Sequence, residues 1–487
     1  MEHIYEVIII GSGFGGIAAA VNLQKNGIED YLMLERDEEL GGTWWRNSYP
    51  GAAVDIQSHL YSLSFETYDW TRFFAKQPEI LAYTKHVLSK YGIVDRALTN
   101  AEVSKLVYDE TTYEWEVSLK DGRTFRSKDI INASGGLSQP SIPKFEGQDS
   151  FEGITMHTGL WDHQVNYAGK RVAVIGSAAS AIQVIPAIAS EVQELYVFQR
   201  TPHWIIPRPD RKLTEKERKA MRNPRLNKMY RSSIYWKHEA RVLAFTVFPK
   251  LMKVAFQPIA DKHIKKQIKD KELRAKVTPD YIIGCKRILL SSNYYPSLTR
   301  ENVHLLTKES GIKAFNKNGI ETIDGQQIDV DVIVYATGFH AAENNIPYPV
   351  IGRDGMTINE SWKDYAHAYL GTTVPYFPNF YMLLGPNTGI GHTSAIYMIE
   401  AQMEYIVQAL VEKRKNDWKA IEIKEQIEKD YTNRMHRLHK KTVWQSGGCK
   451  SWYQNAEGRN IVLYPTFTYK FRKECAKLKW HHHIKTK

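Results

Sequence analysis

The 487-residue chain has few cysteines and no long apolar run. Its three cysteines, Cys285, Cys449 and Cys475, form no CxxC pair. So few thiols predict no disulfide framework and favour a reducing compartment. No basic segment followed by an apolar one opens the chain, so no secretory signal is expected. No apolar run reaches the roughly 18 residues of a membrane span. These absences predict a cytoplasmic protein.

Positive charge is concentrated in one part of the chain. The net charge is +11, yet the segment 208–277 alone holds 21 Lys/Arg and 7 Asp/Glu. The remainder is therefore slightly acidic, which argues against a nucleic-acid-binding protein. Apolar residues interleave with the charges in a helical pattern. A solvated charged face and a weak membrane-surface contact through this segment both remain open.

The stretch "YEVIIIGSGFGGIAAAVNLQ" predicts a dinucleotide-binding unit. An apolar strand ends at Gly11, and Gly13 and Gly16 complete a GxGxxG spacing before an Ala-rich helix. These glycines allow a tight turn, close approach of a pyrophosphate and packing of helix on strand. A second strand ends in Glu35, whose carboxylate can accept hydrogen bonds from an adenosine ribose. An FAD-like nucleotide is expected here.

A second unit begins at "KRVAVIGSAASAIQVIP". Gly176 takes the place of the first glycine, while Ala178 and Ala181 replace the other two. Arg200 stands 24 residues after Gly176, just as Glu35 stands 24 after Gly11. Arginine pairs with a 2′-phosphate that an acid would repel, so the second nucleotide is predicted to be NADP. A surface arginine is the alternative.

Two further stretches echo each other. "DIINASGG" (129–136) and "DVIVYATGFH" (331–340) are apolar strands that end in Ala-Ser/Thr-Gly. They predict the two crossings between nested domains in an α/β fold with two Rossmann-like units, the NADP unit inserted in the FAD unit. The predicted boundaries are 1–150 for the first part of the FAD domain, 151–335 for the NADP domain with a helical insertion at about 208–277, and 336–487 for the second part of the FAD domain.

Three motifs carry a family resemblance over nearly the whole chain. "FEGITMHTGLWD" fits FxGxxxHxxxW(P/D), "GGTWWRNSYPGAAVD" fits (A/G)GxWxxxx(F/Y)P(G/M)xxxD, and "GCKR" (284–287) precedes "NYY". The sequence resembles the Baeyer–Villiger monooxygenases among the class B flavoprotein monooxygenases. The resemblance implies FAD and NADPH as cofactors. It also implies insertion of one atom of O2 beside a ketone carbonyl, through a C4a-peroxyflavin, to give an ester or lactone.

The resemblance also implies roles for individual residues. Arg287 would stabilise the peroxide and Asp55 would hold that arginine. Three alternatives stay open: that Arg287 only pairs with the NADP phosphate, that Asp55 is a helix N-cap, and that Trp444 is a packed core tryptophan. His157 and Trp161 would brace the interdomain linker rather than perform acid–base chemistry. The expected FAD-binding residues are Gly11, Gly13, Phe14, Gly16, Glu35, Gly42, Thr43, Trp44, Trp45, Asp55, Tyr61 and Val103. The expected NADP-binding residues are Gly176, Ser177, Ser180, Gln183, Arg200, Thr201, Lys286 and Trp444.

Two other functions compete with ketone oxygenation. A heteroatom oxygenase for sulfides or amines would use the same cofactors, but Trp161 and Arg287 favour ketones. A pyridine nucleotide–disulfide reductase would need a redox cysteine pair beside the flavin, and Cys285 stands alone in the sequence. The tail "KWHHHIKTK" is expected to be solvated, and no metal site is predicted. The sequence predicts neither the particular ketone nor an oligomeric state.

Overall fold

The protein is described by a computed structural model over residues 3–248, 251–340 and 346–487. Its strands in chain order are β1 (Ile4–Ile10), β2 (Tyr31–Leu34), β3 (Ala97–Leu98), β4 (Val103–Asp109), β5 (Glu114–Leu119), β6 (Thr124–Asn132), β7 (Ile154–His157), β8 (Arg171–Ile175), β9 (Glu194–Phe198), β10 (Ile205–Ile206), β11 (Leu289–Leu290), β12 (Val303–Leu306), β13 (Ile312–Asn316), β14 (Gly319–Thr322), β15 (Gln327–Asp329), β16 (Val332–Tyr335), β17 (Val350–Ile351), β18 (Phe380–Met382), β19 (Ala420–Ile423) and β20 (His483–Thr486).

The α-helices in chain order are α1 (Phe14–Lys25), α2 (Thr43–Arg46), α3 (Gln77–Lys90), α4 (Ala181–Ile188), α5 (Glu215–Met221), α6 (Pro224–Val242), α7 (Gln257–Gln267), α8 (Lys271–Val277), α9 (Tyr294–Leu298), α10 (Ile358–Ser361), α11 (Ala395–Lys415), α12 (Glu425–His439), α13 (Val443–Ser446) and α14 (Thr468–Cys475). Two short π-helices, Leu243–Val247 and Met252–Phe256, lie between α6 and α7. Among the described residues, no helix is both long and apolar enough to span a bilayer.

The first sheet is mixed and has the order β17-β4-β5-β6-β1-β2-β3, with β18 also paired to β6. Its central strand β1 lies parallel to both β2 and β6. Residues Val7, Ile8, Ile9 and Ile10 are buried on both faces of the sheet. A strand covered on both faces needs an uninterrupted apolar run rather than an alternating one, which explains "VIII" before the first glycine.

The second sheet is wholly parallel, with the order β12-β9-β8-β16-β7. Its central strand β8 repeats the role of β1 and is likewise buried from Val172 to Ile175. A three-stranded antiparallel sheet, β13-β14-β15, lies between β12 and β16 in the chain.

The two sheets are nested in sequence. The first sheet uses strands from residues 4–132 and 350–382, whereas the second uses strands from 154–335. The helices α5 to α8 interrupt the second unit between β10 and β11, where the basic helical insertion is predicted. The predicted fold class is confirmed. The residue-level boundaries at 150/151 and 335/336 stay predictions.

The histidine tail differs from its prediction as a solvated segment. Strand β20 pairs antiparallel with β19, from Ile423↔His483 to Ala420↔Thr486. The His483 side chain is buried, and its Nε2 lies 2.6 Å from the hydroxyl of Tyr405. The composition of the tail predicted a solvated segment. The pairing could not be predicted, because two four-residue strands far apart in the chain leave no local signal in the sequence.

Candidate active site at the junction of two nucleotide-binding units

Each unit turns sharply after its central strand, and the two turns have the same geometry. Gly11 has φ +104°, and a Cβ added there would lie 2.6 Å from the carbonyl oxygen of Ala133. Gly176 has φ +123°, and its added Cβ would lie 2.4 Å from the carbonyl oxygen of Ala336. Both positions therefore demand glycine for conformation and for space. The two acceptor residues directly follow the echoed strands β6 and β16.

A cavity opens beside the first turn. Gly13 and Gly42 approach each other so closely that a Cβ on Gly42 would lie 2.7 Å from the Cα of Gly13. Backbone amides rather than side chains therefore form this wall, as a pyrophosphate requires. The predicted FAD residues that line the cavity are Gly11, Gly13, Phe14, Glu35, Gly42, Thr43, Trp44, Tyr61 and Val103. The cradle fits an FAD-like dinucleotide.

Glu35 ends β2 on the cavity wall, where its carboxylate is fixed. Its Oε2 accepts hydrogen bonds from the backbone N of Ser12 at 2.9 Å and from the Ser12 hydroxyl at 2.5 Å. Its Oε1 accepts from the backbone N of Asp37 at 3.1 Å. A fixed acceptor at this place suits a ribose hydroxyl, and the ribose contact itself stays a prediction.

Aromatic side chains frame the same cavity. The indole N–H of Trp44 donates to the hydroxyl of Tyr61 at 3.2 Å, and the Tyr61 ring lies 5.5 Å from that of Phe14, edge to face. Burial raises the pKa of Tyr61 to about 12, so it stays a neutral hydroxyl. Trp45 lies outside the lining, with Lys85 Nζ 5.5 Å from its ring centroid.

Gly16 also lies outside the lining and serves packing. A Cβ at this position would lie 1.9 Å from the carbonyl oxygen of Gly11, so only glycine lets α1 begin against the turn. The sequence prediction missed several other lining residues. They are Arg36, Asp37, Arg46, Ser134, Gly135, Gly136, Tyr348 and Leu383. "SGG" after β6 offered a local signal for three of these, whereas Tyr348 and Leu383 arrive from far along the chain.

Some of the predicted NADP residues lie at the second turn and the start of α4. Ser180 precedes the helix, and the Ser177 hydroxyl donates to the carbonyl of Thr201 at 3.0 Å. Gln183 also contacts the first unit. Its amide accepts from the Tyr49 hydroxyl at 2.8 Å and donates to the carbonyl of Ala53 at 3.0 Å. This glutamine therefore binds the two units together.

Two predicted phosphate ligands lie near the second unit's strands, with Arg200 just after β9 and Lys286 in the turn before β11. Among the described residues, neither Arg200 nor Lys286 forms an ion pair within 4 Å. Burial and the neighbouring charge of Arg200 lower the pKa of Lys286. Burial, with a contribution from Lys286, also lowers the pKa of His203 to about 4. A 2′-phosphate would relieve the repulsion between these two cations, and this NADP contact stays a prediction.

Arg287 and Asp55 meet across the junction of the units. The guanidinium donates through Nε to Oδ2 at 2.6 Å and through Nη2 to Oδ1 at 2.7 Å. Burial would raise the pKa of Asp55, but the charge and hydrogen bonds of Arg287 bring it below its usual range. The charge of Asp55 in turn raises the pKa of Arg287. The side chains of Arg287 and Asp55 are 29% and 30% exposed.

A second arginine supports the Asp55 loop. Arg208 donates through Nη2 to the carbonyl of Val54 at 2.8 Å, and its charge also helps to lower the pKa of Asp55. Its neighbour Asp210 pairs with Arg72 at 2.7 Å. The segment that enters the helical insertion is thereby tied to the loop that carries the acid.

The prediction that Cys285 stands alone is wrong. Cys285 and Cys449 form a disulfide across 164 residues of sequence. It joins the turn before Arg287 to the segment after α13. The sequence pattern missed it because distant cysteines reveal their proximity only in the folded chain. Neither cysteine lines the cavity of the first unit. Cys475 is a buried free thiol, and the compartment stays a prediction.

His157 and Trp161 lie at the edge of the second sheet. His157 ends β7, opposite Tyr335 of β16, and its Nδ1 accepts from the backbone N of Gly159 at 3.0 Å. Burial lowers its pKa to about 4, so the imidazole is neutral near pH 7. Trp161 is buried against Tyr167. Their place beside the crossing at 336–339 suits a linker role, which stays a prediction.

Trp444 is fully buried. Its indole stacks on Phe245 at 5.4 Å, and a Cβ on Gly391 would lie 2.9 Å from its ring. The residue thus joins the loop "GPNTGIGH" to the π-helical segment of the insertion. Its predicted contact with the nicotinamide ribose stays a prediction.

Known proteins resemble this chain over nearly its whole length. Residues 8–268 match the family described as pyridine nucleotide-disulphide oxidoreductase. A Baeyer–Villiger monooxygenase of Pseudomonas aeruginosa is 46% identical over 96% of this chain and 89% of its own. The crystal structure of cyclohexanone monooxygenase from Rhodococcus sp. Phi1 bound to NADP+ matches with TM-score 0.89 and 29% identity over 100% of both chains. OTEMO in complex with FAD and NADP matches with TM-score 0.89 and 26% identity over 99% of both chains.

These likenesses agree with the geometry of the site. The family description covers the two-nucleotide architecture, while the near relative carries the more specific name. The chain therefore shares the architecture of the pyridine nucleotide-disulphide oxidoreductases and belongs to the Baeyer–Villiger monooxygenase family, FAD-containing and NADPH-dependent flavoprotein monooxygenases.

Proposed function

We propose that the enzyme inserts one atom of O2 beside the carbonyl of a small-molecule ketone, giving an ester or lactone. The observation that carries the proposal is the bidentate pair of Arg287 and Asp55 at the junction of the units. The relative named cyclohexanone monooxygenase supports a ketone as substrate. The cavity beside Gly11, Gly13 and Gly42 would hold FAD, which with NADPH would supply the oxygen-activating chemistry.

Arg287 would hold negative charge that develops on oxygen in the cleft. Its guanidinium stays protonated at any working pH because Asp55 raises its pKa. Nε and Nη2 are committed to Asp55, and Nη1 makes one long contact, 3.4 Å from the carbonyl oxygen of Ile390. The Nη1 side therefore remains available to an anionic oxygen. A fixed cation of this kind is worth on the order of 10²–10³ in rate.

Asp55 orients the guanidinium rather than moving a proton. Its carboxylate is ionised across the physiological range, since its pKa lies below its usual value. The Arg208 contact to Val54 and the Gln183 contact to Ala53 fix the loop from both sides. Preorganisation of the pair removes the need for reorganisation when charge develops.

NADPH would be held by the second unit. The turn at Gly176 presents the start of α4 to the pyrophosphate, and Arg200 with Lys286 would bind the 2′-phosphate. Arginine and lysine stabilise a phosphate through charge-assisted hydrogen bonds. This assigns Lys286 to nucleotide selection and leaves the neighbouring Arg287 for oxygenation.

Heteroatom oxygenation is the second candidate function. Soft sulfur and nitrogen substrates accept oxygen from a protonated donor and gain little from a fixed cation. The Nη1 group of Arg287, whose contact to the carbonyl oxygen of Ile390 is long at 3.4 Å, therefore favours the ketone reaction.

The test is product analysis of the purified holoenzyme with NADPH and O2. Aliphatic, cyclic and aryl ketones would be compared with thioethers of similar size. We expect esters or lactones that carry one oxygen atom from labelled O2. Sulfoxides formed at high coupling, with no ester from any ketone, would contradict the proposal and favour heteroatom oxygenation.

A further inference from the structure

Helix α6 of the insertion carries large apolar side chains on its exposed side as well as on its buried side. Its buried side includes Ile234 and Tyr235, which pack with Ile56 and Leu60 of the first unit. Its opposite side exposes Met229 at 69% and, two turns later, Trp236 at 55%. Large apolar side chains so exposed and so regularly spaced are unusual on a soluble monomer and indicate an interaction surface.

Exposed apolar side chains also occur beyond the helix. The described residues of 243–248 and 251–256 pack inward through Phe245, which stacks on Trp444, and through Met252. Its outward side chains are exposed, with Val254 at 73%. We name the combined surface the outer face. Its described members are Leu226, Met229, Trp236, Leu243, Val247, Phe248, Leu251, Val254 and Ile259.

Most charges within residues 222–260 are positive. This stretch contains eight Lys/Arg and a single acid, Glu239. Two of the cations have acidic partners, since Arg222 pairs with Asp69 at 2.8 Å and the largely buried Arg231 lies 3.7 Å from Glu400. Glu239 points inward and is 1% exposed. Its Oε2 lies 3.2 Å from His392 Nε2 and accepts from the Thr468 hydroxyl at 2.8 Å. The face that solvent meets therefore combines apolar side chains with cations and, among the described residues of 222–260, no exposed carboxylate.

We infer that the outer face docks on the surface of a bilayer that contains anionic lipid. Apolar side chains would enter the boundary between headgroups and acyl chains, while the cations would pair with lipid phosphates. The surrounding helices are too polar to cross a membrane, so the chain would lie on it. A second copy of the chain fits less well, because a twofold interface would bring the same cations together.

The charge requirement is tested with vesicles and the FAD-loaded full chain. Co-sedimentation would be measured with phosphatidylcholine alone and with a mixture that is one-third phosphatidylglycerol, at low and at high salt. We expect binding to the mixed vesicles at low salt and weaker binding at high salt, because salt screens exposed charges. Sedimentation needs no turnover, so its result is independent of the proposed oxygenase activity.

The apolar requirement is tested with matched substitutions. We expect Val254→Ser and Met229→Ser each to lower the vesicle partition coefficient by about tenfold, the effect of withdrawing one large apolar side chain from lipid. Ile323→Ser is the control, because Ile323 is 61% exposed but lies in the loop between β14 and β15. This control should bind vesicles as the wild type does.

The cations are tested in the same way. Lys228→Glu combined with Lys237→Glu and Lys253→Glu should abolish binding to the anionic vesicles. The same charge change at three remote lysines, Lys308, Lys317 and Lys415, should leave most of the binding intact.

Three results would overturn the inference. They are no sedimentation with anionic vesicles at low salt, equal loss of binding in the Ile323→Ser control, and a dimer in solution that Val254→Ser dissociates. The last result would assign the outer face to a second copy of the chain.

Discussion

The two charged residues that define the reaction, Arg287 and Asp55, are separated by 232 positions in the chain. Each could be proposed from its own motif, "GCKR" and the aspartate that closes "GGTWWRNSYPGAAVD". Their bidentate contact could not, because it depends on how two nested units are oriented. The sequence also gave no sign that Arg208 and Gln183 hold the loop of Asp55. Their partners are backbone carbonyls in the other unit, which no sequence pattern reveals.

At the same scale, Arg200 should select NADPH over NADH. Arg200→Gln removes a charge-assisted contact to the 2′-phosphate, worth about 1.5–3 kcal/mol. We expect the KM for NADPH to rise by about 10- to 100-fold, with little change for NADH. Steady-state kinetics with both nucleotides measures this. Arg300→Gln, at an exposed arginine beyond α9, is the control, and an equal effect on NADH would contradict the assignment.

At the scale of elements, the glycine turns should not tolerate a larger residue. Two alanine substitutions separate the effect of the positive φ from the effect of the steric clash. Gly11→Ala suffers both a positive φ and a clash with the carbonyl of Ala133. Gly122→Ala has a similar φ of +91° but meets nothing within 4 Å. We expect Gly122→Ala to cost about 1–2 kcal/mol of stability and to retain FAD. Gly11→Ala should lose more stability and release FAD, measured by thermal unfolding and flavin absorbance. Equal behaviour of the two variants would show that the close approach to Ala133 is unimportant.

The disulfide ties the Arg287 turn to the segment after α13. In denaturant without reductant, thiol titration should find one reactive thiol per chain, that of Cys475. Cys449→Ser should lower the free energy of unfolding by about 2–4 kcal/mol, because the unfolded chain loses a long-range crosslink. Cys475→Ser leaves the crosslink intact and is the control. Three reactive thiols in the wild type would contradict the bond.

Elements were predictable from sequence where the pattern is local. The two βαβ openings could be located because strand, glycine turn and helix follow within about 25 residues. The β19–β20 pair and the β13–β15 sheet could not, since short strands pair through context rather than propensity. The outer face could be suspected from "VLAFTVFPKLMKVAF", but only the fold shows which of its apolar residues are buried.

At the scale of the whole molecule, burial of histidines should govern stability in mild acid. Seven histidines have a pKa lowered to about 4, chiefly by burial: His59, His157, His203, His238, His436, His439 and His483. The ordinary value is 6.5. Between pH 6.5 and 4 the unfolded chain therefore binds protons that the folded chain does not. Stability is fully present above pH 6.5 and is lost as pH falls towards 4.

This pH dependence is measurable by urea unfolding. A single histidine of this kind contributes a slope of at most about 1.4 kcal/mol per pH unit in that window, and a partly exposed one such as His436 contributes less. The unfolding of His157→Gln should therefore take up one proton fewer than the unfolding of the wild type. The pH profile of its turnover should keep the shape of the wild-type profile near pH 6–7. A turnover pH profile governed by His157 would contradict its neutral, bracing role.

The central claim is that Arg287, held by Asp55, supports oxygen transfer to a ketone. The most direct measurement follows NADPH, hydrogen peroxide and ester together in wild type, Arg287→Ala and the control Arg300→Ala. We expect Arg287→Ala to keep oxidising NADPH, with the consumed O2 appearing as hydrogen peroxide, while the ester rate falls by at least about 100-fold. Arg300→Ala should match the wild type. Ester formation by Arg287→Ala at nearly the wild-type rate would contradict the account.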